Sequence, residues 1–180
     1  MEKLKKKERH ALLVEKINKN PFLKDEDLAK ECHVSVSTIR FDRAELGIAE
    51  YRERVKAAAE TGIGNSTNEG ELLDLNPLHN GIAVFETDQS MVFEDSDIVR
   101  SQCIYAVAEN LAVHVINAKA VLVKVANVKY IREVHSGERL IAKSEVIRVK
   151  EKEFIVHVFI KSNLTEVFRG KFSLMIPDEK

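Results

Sequence analysis

The sequence predicts an α+β protein. A small all-α head (residues 1–46) leads through a linker helix and hinge (47–69) to a domain (70–180) of antiparallel sheet around one helix. Three observations predict it. Before residue 60, apolar side chains recur at the 3–4 spacing of helices. From residue 61 to 68, Thr-Gly-Ile-Gly-Asn-Ser-Thr-Asn breaks every pattern, as flexible hinges do. Beyond it, one greasy helical stretch is followed by four strand-like stretches and no second long helix.

In the head, Ala11, Leu12, Leu13 and Ile17 stripe a helix from Glu8 to Asn18, which Asn20-Pro21 ends. Asp25-Glu26-Asp27 supplies an acidic first turn for a second helix through Leu28, Ala29 and Cys32. His33-Val34-Ser35 makes a tight corner, and Ser35 caps a third helix, Val36 to Leu46. The run Leu28 to Arg40 has helix-turn-helix spacing. Ala29 permits close helix approach, Val34 and Ile39 plug the interhelical space, and His33 stands where glycine is usual. On a helical wheel Val36, Ile39 and Leu46 face the core, while Ser37, Phe41 and Ala44 face out, flanked by Thr38 and Arg40.

The number of agreeing positions favours a nucleic-acid reading of this hairpin over a purely structural one, and the charge distribution is compatible with it. The chain is near neutral, at −1, but residues 1–24 hold eight Lys and Arg against three Glu, a net of +5 that leaves −6 elsewhere. A basic end on an acidic protein suits a polyanion, although a solvated lysine-rich helix start would look the same. Ser35, Ser37, Thr38 and Phe41 suit base edges and thymine methyls, and Arg40, Arg43 and the lysines suit phosphates. Packing against a neighbouring element is the competing role for Phe41.

The stretch Ser35 to Leu46 resembles the DeoR-type winged helix-turn-helix signature of bacterial repressors. Leu46-Gly47-Ile48-Ala49-Glu50-Tyr51-Arg52-Glu53-Arg54-Val55-Lys56, with Asn20-Pro21-Phe22 and Asp25-Glu26, is similar to the family of repressors of fatty acid and phospholipid biosynthesis in Gram-positive bacteria.

The linker helix is placed at residues 48–60, where Ile48, Tyr51, Val55 and Ala59 form one apolar stripe. Such a stripe must bury itself on the second domain or on the same helix of another subunit. Strands are expected at Leu72–Leu75 and Gly81–Glu86, a buried helix at 101–116, and strands near 120–131, 140–150, 154–161 and 166–175. Ser136-Gly137-Glu138 and Ser162-Asn163 supply turns. One apolar helix before a meander implies a sheet wrapped around it.

That layout resembles the hot-dog fold of acyl-CoA thioesterases and dehydratases, and Arg132 to Val146 looks like the family's turn between central strands. With the head, the combination again resembles the repressor family, whose hot-dog domain has lost catalysis and senses malonyl-CoA or malonyl-acyl carrier protein. The resemblance implies a homodimer on a promoter inverted repeat, released by that effector as the linker helix docks differently. It also implies that Arg100 holds the malonyl carboxylate and Phe93 lines the acyl end.

Physical chemistry agrees at Arg100. A cation beside the helix N-cap expected at Ser101 is disfavoured unless an anion shares the place, and guanidinium geometry suits a carboxylate. Pairing with Asp95 or Asp97 is the structural alternative. Two residues depart from the family: Ser101 replaces a usual glycine, and Glu109 a usual asparagine, with Asn110 next to it as a substitute amide. Glu109 falls where hot-dog thioesterases place a catalytic carboxylate. Two further readings therefore stand beside the repressor: a thioesterase fused to a DNA-binding head, and a repressor sensing another acyl thioester.

Other chemistry is excluded. The six histidines lack metal-ligand spacing, no Gly-rich phosphate loop occurs, and Cys32 and Cys103 match neither a disulfide framework nor a CxxC site. No resident cofactor is expected. No apolar run reaches the roughly 20 residues of a membrane helix, and the charged start lacks a secretory h-region, so a cytoplasmic location is expected.

Overall fold

The computed structural model describes residues 5–62 and 70–178, residues 58–62 by backbone alone. Lys3 of the basic arm and most of the expected hinge, residues 63–68, lie outside the described residues. The chain divides into two compact units, 1–58 and 59–180.

The first unit contains α1 (Lys6–Lys19), α2 (Asp25–Glu31), α3 (Val36–Glu45) and the start of α4 (Tyr51–Gly62). Its core is Leu13, Ile17, Leu28, Ala29, Cys32 and Ile39. One chain-reversal device is used twice. After α2, His33 takes a left-handed φ of 53° and the Val34 amide donates to the Ala29 carbonyl at 3.1 Å. After α3, Gly47 takes φ 66° and the Ile48 amide donates to the Arg43 carbonyl at 2.9 Å. Both are Schellman endings, and each throws its next residue, Val34 or Ile48, onto the core. The Ser35 hydroxyl accepts from the Thr38 amide, so the expected cap forms.

The unit is all-α as expected, but among its described residues no strand pair forms a wing. The linker stripe also differs from expectation. Ile48 precedes the helix and packs on the head's own core, and Val55 is fully buried, so neither presents a free face. Helical structure continues through Thr61 and Gly62, the first two residues of the expected break. Small polar residues weaken a helix end without forbidding it.

The second unit is one six-stranded antiparallel sheet, ordered β1-β2-β4-β5-β6-β3. Its strands are β1 (Glu71–Asn76), β2 (Asn80–Glu86), β3 (Leu122–Tyr130), β4 (Arg139–Lys150), β5 (Glu153–Ser162) and β6 (Thr165–Met175). Alternation puts Leu140, Ala142, Val156, Val158, Ile160, Phe168, Phe172 and Leu174 on one fully covered face. The helix α5 (Ser101–His114) packs on β2, β4, β5 and β6 and contributes Val107, Ala108, Leu111 and Ala112. Each large apolar side chain buried there contributes roughly 1.5–3 kcal/mol. At Gly170 a Cβ would lie 2.6 Å from the Phe172 ring, so glycine lets the two flanking phenylalanines close over β6. This is the hot-dog arrangement.

The helix is not buried all round. Tyr105, Ala106, Glu109, Asn110 and Val113 stay half-exposed, because the sheet covers only one side of α5. The edge strand β3 likewise leaves Leu122, Val125, Val128 and Tyr130 open.

Candidate DNA-reading helix and effector cleft

Two buried ion pairs hold α3. Asp42 accepts from Arg9 Nε at 2.5 Å and Nη2 at 3.1 Å, tying α3 to α1, and its carboxylate also meets His10 Nε2 at 3.0 Å. Hydrogen bonding from Arg9 holds the Asp42 carboxyl below its usual value, and His10 adds to the effect. Arg43 donates from Nε and Nη2 to Asp25 at 2.8 and 2.9 Å, tying α3 to α2. Its Nη1 reaches the Ile48 and Ala49 carbonyls at 3.2 and 3.1 Å.

Arg43 is therefore a correction: expected to hold phosphate, it is buried and committed internally. Asp42 and Arg43 sit at 3–4 spacing from Ile39 and Leu46, which places them on the inward stripe. That spacing, together with Arg9 and Asp25 on neighbouring helices, was the signal sequence reasoning missed.

The outward face matches expectation more closely. Phe41 is 76% exposed, and the Arg40 side chain is 65% exposed with Nε 3.7 Å from Asp25. Ser35 and Ser37 are exposed and Thr38 is half-buried. The Ser35 hydroxyl lies 2.8 Å from those of both Ser37 and Thr38. Nothing covers Phe41, so the packing role weighed for it has no partner among the described residues.

In the second unit, the loop before α5 is pinned by bridges Val92–Val99 and Ile98–His135. Arg100, not Ser101, is the N-cap residue, and Ser101 begins the helix. Arg100 Nε donates to the Met91 carbonyl at 3.2 Å and Nη2 to the Ser90 carbonyl at 2.7 Å. It bonds to neither Asp95 nor Asp97. Asp97 instead lies 3.1 Å from His135 Nδ1. Arg100 Nη1 is the nitrogen left over.

An open cleft of about 890 Å³ is lined by Val92, Phe93, Glu94, Asp97 and Arg100. A second, of about 500 Å³, is lined by Phe93, Ser101, Ile104, Tyr130 and Ile131. Phe93, 54% exposed, belongs to both. Phe93, Arg100 and Ser101 are thus brought together. Glu109 and Asn110 lie further along α5, half-exposed, and line neither cleft.

The turn after β3 is built around Glu138, which sequence reasoning read only as turn chemistry. Its carboxylate accepts from Arg132 Nη1 and Nη2 at 3.1 and 2.7 Å, from the His135 amide at 2.8 Å and from the Ser162 hydroxyl. These donors, Arg132 foremost, hold its pKa down at about 2. Gly137 supplies the left-handed φ of 85° that the turn needs.

Residues 97–166 match the Thioesterase superfamily. Over 98% of this chain, the sequence is 49% identical to the transcription factor FapR of Thermoanaerobacter sp. (strain X514), covering 92% of that protein. It is 39% identical to the transcription factor FapR of Geobacillus sp. (strain WCH70), over 94% of this chain and 89% of that one. An uncharacterized protein from Pyrococcus horikoshii superposes with a TM-score of 0.61 at 22% identity, over 64% of this chain and 88% of that one, which concerns the fold alone. Among the described residues no helix is long and apolar enough to cross a membrane.

Proposed function

The chain belongs to the FapR family of transcription factors, and from that premise we propose that it represses fatty acid and phospholipid biosynthesis genes and is released from DNA by malonyl-CoA or malonyl-acyl carrier protein. A homodimer places two copies of α3 on a promoter inverted repeat. Ser37 and Phe41 read the major groove from the exposed side of α3 and Arg40 holds phosphate beside them, while the two buried ion pairs keep that side turned outward.

The observation that carries the effector reading is Arg100. Its guanidinium is held by two carbonyls at the start of α5, beside Phe93, with Nη1 uncommitted. A malonyl carboxylate there gains a charge-assisted bond and the favourable end of the helix dipole. Release follows if ligand and DNA prefer different seatings of α4, because each then disfavours the other.

Calorimetry tests the assignment. Arg100→Ala should lose about 1.5–3 kcal/mol of malonyl-CoA binding, one to two decades, while operator binding in a gel shift persists. Equal affinity of the wild type for malonyl-CoA and acetyl-CoA would remove Arg100 from the site.

Thioesterase activity is the second reading, kept because Glu109 stands on α5 within a thioesterase-like fold. It is disfavoured: Glu109 lies outside both clefts, and an arginine anchoring a carboxylate would hold the acyl end, rather than the thioester carbonyl, near the helix start. A turnover of about 1 s⁻¹ on malonyl-CoA that disappears in Glu109→Gln would reverse the preference.

A further inference from the structure

The first unit contains one guanidinium that its surroundings do not satisfy. Arg54, one turn into α4, is only 7% exposed. Its Nη2 donates to the Leu23 carbonyl at 2.9 Å. Its Nε and Nη1 are enclosed and have no hydrogen-bond partner.

The reason lies in what its neighbours already hold. Asp25 is the nearby acid, and both of its oxygens are taken by Arg43. The carbonyls of Ile48 and Ala49, at the approach to α4, are taken by Arg43 Nη1. Arg54 is left with one carbonyl and the Tyr51 ring, 6.0 Å from its Cζ. Burial and the like charge of Arg43 both press its pKa below the usual arginine value. An enclosed charge short of partners is among the costliest features a fold can keep, and an apolar side chain of similar volume would remove that cost.

We propose that Arg54 is a positioning residue that keeps α4 weakly seated on the helix-turn-helix, so that the linker helix lifts away readily and gives its guanidinium to water or to an acceptor. The penalty sits at a functional joint. Arg43, tied to Asp25, anchors α3, whereas Arg54, beside it, loosens α4. The two arginines thus let the linker helix move without disturbing the DNA-reading helix. This rests on the reading that α4 changes seat between the DNA-bound and effector-bound states. It adds the residue that makes the change easy.

Hydrogen exchange by mass spectrometry on the full chain tests it. Arg54→Met keeps a flexible apolar stem, close to arginine in volume, and removes the charge. Amides of α4 at residues 51–57 should exchange at least tenfold more slowly than in the wild type, and thermal unfolding of the first unit should move upward. Arg54→Lys keeps an enclosed charge and should exchange at the wild-type rate or faster. Equal or faster exchange in Arg54→Met would mean that the guanidinium holds α4 down or is indifferent, and would overturn the proposal. A coupled readout comes from gel shifts. The malonyl-CoA concentration that half-releases operator should differ at least tenfold between Arg54→Met and the wild type, and an unchanged value would deny Arg54 any part in the switch. If malonyl-CoA fails to release wild-type protein, the effector reading falls, while the exchange measurement still decides the role of Arg54.

Discussion

Glu138 and Arg100 show how far single residues depend on partners that are distant in sequence. Glu138 gathers four donors, one of them Ser162 from the end of β5. Its folded pKa of about 2 lies below the ordinary glutamate value of 4.5. The stabilisation is therefore fully present above pH 4.5 and is lost as pH falls toward 2. Discounting for the partly exposed Arg132, Glu138→Gln should cost about 2 kcal/mol at neutral pH. Thermal melts of the wild type should fall between pH 4.5 and 2 more steeply than those of the variant. Parallel curves would mean that the cluster does not titrate with folding. The Ser136-Gly137-Glu138 run announced a turn, but Ser162 could not be tied to it without the sheet.

At the scale of the element, α3 is a helix with two kinds of arginine. Arg43 is enclosed and shares Asp25, and Arg40, three residues earlier, stands in solvent. Removing one member of an enclosed pair leaves the other uncompensated, so Arg43→Ala should cost roughly 3–5 kcal/mol and melt the first unit early. Arg40→Ala should shift stability by no more than about 0.5 kcal/mol and still weaken operator binding. Denaturation and gel shift on the same two variants separate the roles. If both lose only DNA affinity, the Arg43–Asp25 pair is not structural. Charge composition could not distinguish these arginines. The 3–4 spacing of Arg43 from Ile39 and Leu46 could have.

For the molecule as a whole, the half-exposed stripe of α5 and the open edge of β3 are the apolar surfaces that the proposed homodimer would cover. An edge strand offering Val125, Val128 and Tyr130 invites pairing with another strand. Pairing β3 with a partner's β3 would continue the sheet and cover this surface. On the proposed homodimer, Val125→Asp would place a charge on that edge, and the full chain should then sediment as a folded monomer at micromolar concentration where the wild type sediments as a dimer. A variant that remains dimeric would move the interface elsewhere.

Local rules acting on neighbouring residues were enough to place most elements. Apolar spacing, the Ser35 cap, the Asn20-Pro21 break and the change from helical to strand period located each described α-helix and strand to within a few residues, though not the short 3-10 turn Gln89–Met91, and the DeoR-like and hot-dog-like runs pointed to the family. These features are carried by contiguous residues, so they survive in one dimension. Only the tertiary structure decided which charges lie inside. Arg43, Asp42, Arg54 and Glu138 look like surface residues by type, and their roles follow from Asp25, Arg9, Leu23 and Ser162, each brought close by chain reversal. It likewise decided that Arg100 stands at the N-cap position of α5 with its side chain on two backbone carbonyls, and that α5 is covered on one side alone. An enclosed charge is defined by its partners, and partners far apart in the chain are known only once the chain has closed on itself.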